Sequence, residues 1–151
     1  MLNARSASFI ALITITLLAG CLPDYFPRRK LRLSSQEQLA GHWQLTRNSA
    51  NMIDRYLMRT PEASFIDLAV DGRCDLHDFA FDEDLYSGAA TWKTEDESDD
   101  GSKRKFSVLR ITKLGKQGFF SLYFTKRHGR IIMWHYHGDP DSREYIEYER
   151  I

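Results

Sequence analysis

The stretch Gly118-Phe119-Phe120-Ser121-Leu122-Tyr123-Phe124-Thr125-Lys126-Arg127-His128-Gly129-Arg130-Ile131-Ile132-Met133-Trp134-His135-Tyr136-His137 decides the fold. It contains two runs rich in aromatic and β-branched residues, 118–126 and 130–137, a composition that fits a pleated, half-buried surface. His128-Gly129 sits between them, a short link of the kind that closes a tight hairpin. Both runs are apolar on both faces. One face therefore lines an interior, and the other meets a helix, loops or a partner.

Working outward from this hairpin, the same period of two recurs along most of the chain. Candidate strands are 41–46, 64–70, 74–81, 86–93, 105–113 and 144–150. Tight-turn signals separate several of them, namely Asp71-Gly72, Leu114-Gly115-Lys116-Gln117 and Gly138-Asp139-Pro140-Asp141. One segment, 48–59, has helical spacing instead: Met52, Ile53, Tyr56 and Leu57 share a face, Asn48 or Ser49 caps the start, and Pro61 stops it. The expected fold is mostly β, an antiparallel meander of about eight strands closed as a small barrel, with one short helix after the first strand. Closure removes the exposed edges that invite aggregation.

The first twenty residues have a different composition. Arg5 precedes an apolar stretch at 9–19, broken only by Thr14 and Thr16 and too short to cross a bilayer core, which needs about 20 helical residues. The stretch ends Leu18-Ala19-Gly20-Cys21. This tetrapeptide resembles the lipobox of bacterial lipoprotein precursors. The resemblance implies a signal peptide at 1–20, cleavage before Cys21, and a palmitate-type lipid anchor on that cysteine; several acyl chains are needed, since one holds a protein only marginally. Leu22, rather than an Asp that would retain a lipoprotein at the inner membrane, implies the cell outer membrane, periplasmic side. Residues 21–38, with Pro23, Pro27 and the basic Arg28-Arg29-Lys30 and Arg32, read as the lipidated cysteine and a flexible tether. The basic run is suited either to anionic headgroups or to a plain solvated spacer. Ser34 and Glu37 have capping-box spacing. The barrel domain is then 39–151.

Within that domain, Gly41-His42-Trp43 is similar to the Gly-x-Trp that opens the first strand of lipocalins and other calycins. That resemblance implies a calycin-like barrel in which Trp43 plugs one end against a basic residue from a late strand, here Arg150. The chain departs from the family in placing its helix between the first two strands and in lacking a long helix after the last. The ending, Gly138 to Arg150, also looks like the C-terminal hairpin of uncharacterised small bacterial lipoproteins, a likeness that carries no activity.

Lysine and arginine total 21, aspartate and glutamate 21, so global charge points to no nucleic-acid partner. With Cys21 lipidated, Cys74 is left without a disulfide partner and reads as a small residue beside a turn. His135 and His137, two apart on a strand, have the spacing of a metal pair, with His128 and His42 as further ligands only if the fold brings them close. The alternative is that they share one face of an amphipathic strand with Met133, and no metal or cofactor is expected. Asp96 to Gly101 imitates the start of a calcium loop, but its twelfth position is Ser107 instead of a bidentate Glu. Asp139 and Asp141 have turn composition. Cys74 and His77 would point to opposite faces of one strand. No nucleophile elbow, phosphate loop or zinc-protease motif occurs, so no enzyme is expected.

Two functions remain open. In one, the barrel is filled and the protein is a membrane-anchored envelope lipoprotein acting as a protein-binding or structural module. In the other, the barrel binds a small apolar ligand in the lipocalin manner. Tyr123, Trp134 and Tyr136 serve either as the partner surface or as pocket lining. The domain is small and without disulfides, which favours the filled barrel, because an empty cavity costs stability.

Overall fold

The computed structural model describes residues 29–33, 35–57, 64–81, 84–98, 105–114 and 118–151. Eight antiparallel strands close on themselves in sequence order: β1 (Gly41–Leu45), β2 (Phe65–Leu68), β3 (Arg73–Phe81), β4 (Asp84–Ser98), β5 (Lys105–Lys113), β6 (Phe120–Arg127), β7 (Arg130–Tyr136) and β8 (Tyr145–Arg150). The seam is β1 against β8, with Trp43 opposite Arg150 and Leu45 opposite Tyr148. The decisive hairpin forms as read: Arg127 pairs with Arg130, and His128 and Gly129 both take positive φ, 50° and 82°. That combination matches the twist of the flanking strands.

Residues opposite each other on a ladder share a face, so the registers sort inside from outside. Trp43, Ile66, Leu76, Leu109, Leu122, Phe124, Met133, Ile146 and Tyr148 point inward and form one buried core. Strict alternation along β3 fails at Asp78, where φ is 45° and the register with β4 shifts between Leu76 and Phe79. This bulge turns Phe79 inward and leaves the polar Asp78 outside. Ser87 on β4 holds it, accepting from the Asp78 amide at 2.9 Å.

The β2–β3 ladder ends at Phe65 opposite His77, which would strand the next backbone groups of β3. Side chains from across the barrel satisfy them. The Tyr148 hydroxyl accepts from the Ala80 amide at 3.1 Å and lies 3.3 Å from the Ser64 hydroxyl. His135 Nε2 lies 2.8 Å from the Ala80 carbonyl, which an N–H at that atom satisfies. Trp43, Phe79, Phe124 and Tyr148 are all fully buried, so the interior is crossed by large side chains and polar struts.

Several boundaries differ from the sequence reading. β4 extends to Ser98, with Asp96 opposite Ser107 and Ser98 opposite Lys105, so the start of the calcium-like segment is paired strand; residues 99–101 lie outside the described residues. The helix α1 (Arg47–Leu57) is capped by neither Asn48 nor Ser49 but by Thr46, whose hydroxyl accepts from the Ser49 amide at 3.4 Å. Of its expected apolar face, Ile53 is buried, Met52 half-buried, and Tyr56 is 53% exposed. The Tyr56 hydroxyl instead donates to Glu144 at 2.7 Å. A 3₁₀ turn at Gln36–Leu39 leads into β1, with no side-chain cap from Ser35. Ser34 lies outside the described residues.

Of the residues read as a tether, 29–33 bond to the barrel. The β5–β6 ladder runs from Ile111 opposite Phe120 to Val108 opposite Tyr123 and stops there. Beyond that point the segment lies between the two strands: the Leu31 amide donates to the Phe124 carbonyl at 2.7 Å, and the Ser107 amide donates to the Leu31 carbonyl at 3.1 Å. Leu33 donates to the Ser107 hydroxyl at 3.0 Å, and Arg32 pairs with Asp96 at 3.0 Å. Among the described residues, no helix is long and apolar enough to cross a membrane.

Candidate functional site

The residues singled out from sequence fall in three places. Trp43 and Arg150 are neighbours at the end of the barrel where segment 29–33 enters. The Trp43 indole donates to the Leu39 carbonyl at 2.8 Å, tying the 3₁₀ turn over the core. Arg150 donates to the Gln38 carbonyl at 3.1 Å and lies over Gly41, where a Cβ would meet its Nε at 2.9 Å. Gly41 has φ 138°, a backbone conformation that favours glycine, whereas the flexible Arg150 side chain could move away from a Cβ. Beside Trp43 an open pocket of about 410 Å³ is lined by Gln38, Arg130 and Ile131, among others.

His135 and His137 do not form a metal pair. Both nitrogens of His135 face backbone carbonyls, Nδ1 toward Tyr136 at 2.7 Å and Nε2 toward Ala80 at 2.8 Å, which leaves no lone pair directed at an ion. The His137 ring packs on Tyr56, with centroids 4.8 Å apart. His42 lies on another strand, where Nδ1 is 2.6 Å from Asp67. Among the described residues no group of three or more His, Cys, Asp or Glu is placed to hold a metal. Cys74 and His77 diverge as expected: Cys74 is buried inside, and His77 stacks outside on Phe65 with centroids 4.8 Å apart.

The third place is the outer face of β5–β8. Val108, Tyr123, Trp134 and Glu147 form one row across four strands, and Tyr136 lies opposite Tyr145 one step along. The rings meet. Trp134 is 5.1 Å from Tyr123, 5.2 Å from Tyr136 and 5.1 Å from Tyr145, the last two edge-on. Edge-to-face geometry is the favoured arrangement for such pairs. Phe106 extends the patch beside Tyr123, and Lys30 Nζ sits 4.3 Å from the Phe106 ring and 4.6 Å from that of Tyr123. Trp134, Val108, Ile132 and Phe106 are buried yet do not belong to the barrel core; they make a second apolar cluster on its outside.

Trp134 is the centre of this cluster. It is 0% exposed, and its indole N–H is buried without a hydrogen-bond partner among the described residues. A buried donor without an acceptor costs about 1–3 kcal/mol, so it marks a place that needs explanation. Sequence alternation was enough to place Tyr123, Trp134 and Tyr136 on one face. It missed Phe106 and Lys30, which join through the departure of β6 from β5, and Tyr145, whose place opposite Tyr136 follows from the register of the last hairpin. Cys21 lies outside the described residues.

No protein-family model, curated protein or solved structure matches this chain.

Proposed function

We propose that this protein is an envelope lipoprotein, held through lipid on Cys21 to the outer membrane on its periplasmic side, whose filled calycin-like barrel acts as a non-catalytic protein-binding module. The observation that carries the reading is the outer aromatic patch of half-buried Tyr123, Tyr136 and Tyr145 packed around the buried Trp134. The tyrosines supply large, low-entropy anchoring area for an interface partner, and the buried Trp134 beneath holds them in place. The crossed interior argues against the alternative of lipocalin-like ligand carriage, because Tyr148 and His135 occupy the axis where a ligand would lie.

Site-specific photo-crosslinking in intact envelopes tests this. A crosslinker at position 123 or 136 should yield one discrete adduct, and the same group at Asp75, on the outer face of β3, should yield none. Equal labelling at all three positions, or saturable one-to-one binding of a fatty-acid probe by the purified protein, would replace this reading.

A further inference from the structure

The end of the barrel where segment 29–33 enters carries a second surface, of different chemistry. Arg29, Lys30, Arg32, Lys105 and Lys126 surround an open cleft of about 570 Å³ floored partly by Leu31. Three of the five cations come from the docked segment, and two from the ends of β5 and β6 that it separates. Among the described residues, the Asp96 carboxylate pairs with Arg32 at 3.0 Å. Cations are thus concentrated here in a chain whose formal net charge is zero. Concentration of one sign in a concave surface raises the local field and attracts anions.

From these observations we infer that this cleft holds the phosphodiester headgroup of an anionic phospholipid, so that the barrel stands with this end against the bilayer. The occupant follows from two features. One is charge: a phosphodiester complements a cluster of arginines and lysines, and such clusters next to a membrane attract anionic lipid in a salt-dependent way. The other is chain length. Arg29 is eight residues after Cys21, a distance of at most about 28 Å fully extended, so an anchor on Cys21 keeps the cleft close to the headgroups. The loops at the other end, with Asp139, Asp141 and Glu144, are then directed away from the lipid. The inference rests on the lipid-anchor reading.

The test uses the full lipidated chain in nanodiscs, either of phosphatidylcholine alone or of phosphatidylcholine mixed with phosphatidylglycerol. Acylation of lysines by an amine-reactive ester is followed by mass spectrometry. Lys105 and Lys126 should react several-fold more slowly in the mixed discs, with the protection lost at high salt, while Lys113 at the opposite end of β5 reacts equally in both. Lys105→Glu should stay in the discs and lose the protection at Lys126. Equal reactivity in both discs overturns the inference. Protection by inorganic phosphate added to phosphatidylcholine discs, as strong as that from phosphatidylglycerol, also overturns it, in favour of a soluble phosphate ligand. The intact mass separates the two readings: a chain without added lipid refutes the anchor, and mixed discs offered to that chain still show whether Lys105 and Lys126 bind the headgroups.

Discussion

Cys74 faces the barrel interior between Leu68 and Ala90 on the neighbouring strands. Burial, with smaller effects from Asp75 and Asp67, pushes its thiol up to about 12 from an ordinary value of 9.0. The folded chain therefore keeps the proton in a range where the unfolded chain releases it. Below pH 9 this has no effect; between pH 9 and about 12 the unfolded state binds fewer protons, and stability falls as pH rises. Denaturant titrations of the native chain should show a steeper alkaline loss than those of Cys74→Ala, by up to roughly 1.4 kcal/mol per pH unit. Parallel slopes would mean that the thiol ionises freely in the fold. Cys74 was legible as a small structural residue because alternation placed it beside Leu76. Burial of Trp134 was not legible, since a strand pattern gives only the face of a side chain and says nothing of what covers it.

Among the elements, the strands were easiest to find because a period of two survives even where their ends move. β5 has the bounds its pattern suggests, and β7 differs by one residue. β4 is much longer than its apolar run, since Glu95, Asp96 and Glu97 pair with Val108, Ser107 and Phe106 and take their order from that partner strand. Local composition cannot show this. The bulge at Asp78 was hidden for a similar reason: it depends on Ser87, nine residues away. The helix start differs by one residue and its cap by two or three, because Thr46, Asn48 and Ser49 are all good caps. The structure selects Thr46, which directly follows β1 and donates to the Ser49 hydroxyl at 3.1 Å. Thr46→Ala should cost about 1 kcal/mol in equilibrium unfolding, whereas Asn48→Ala, on an exposed helical position, should change stability by less than about 0.5 kcal/mol. The reverse order would return the cap to Asn48.

Taken whole, the molecule has its two surfaces of interest on neighbouring parts of the same wall: cations at the entry end, aromatics on the outer side of β5–β8. Lys30 belongs to both, lining the basic cleft and lying over Phe106. The closed barrel was legible from eight alternating runs with hairpin links, and Trp43 lies at one end of it. The aromatic site was legible in part, and the basic cleft hardly at all, because it exists only where a segment expected to be a spacer joins two strands. The anchor is tested at Cys21. Cys21→Ser should accumulate as uncleaved precursor and incorporate no labelled palmitate, whereas the native chain is cut and labelled. Palmitate retained by the variant would place the lipid elsewhere or remove it from the account.

Segment 29–33 has a mechanical consequence. Tension applied between the chain upstream of Arg29 and a partner gripping β6 and β7 does not pass through the β1–β8 seam. It passes through the bonds of segment 29–33, namely Leu31 to Ser107 and Phe124, Arg32 to Asp96 and Leu33 to Ser107, which are loaded before any barrel ladder. Those bonds act as a fuse. Their rupture would release residues 29–38, roughly 30 Å of slack, while Leu39 and Trp43 keep the barrel closed. In an optical trap, pulling on residue 28 against a handle at position 136 should give a small early extension of that length, well below the force that opens the barrel. Leu31→Pro, which removes the amide bonded to Phe124 and leaves the bond from Ser107, should lower the force of the early step and leave the later rupture in place.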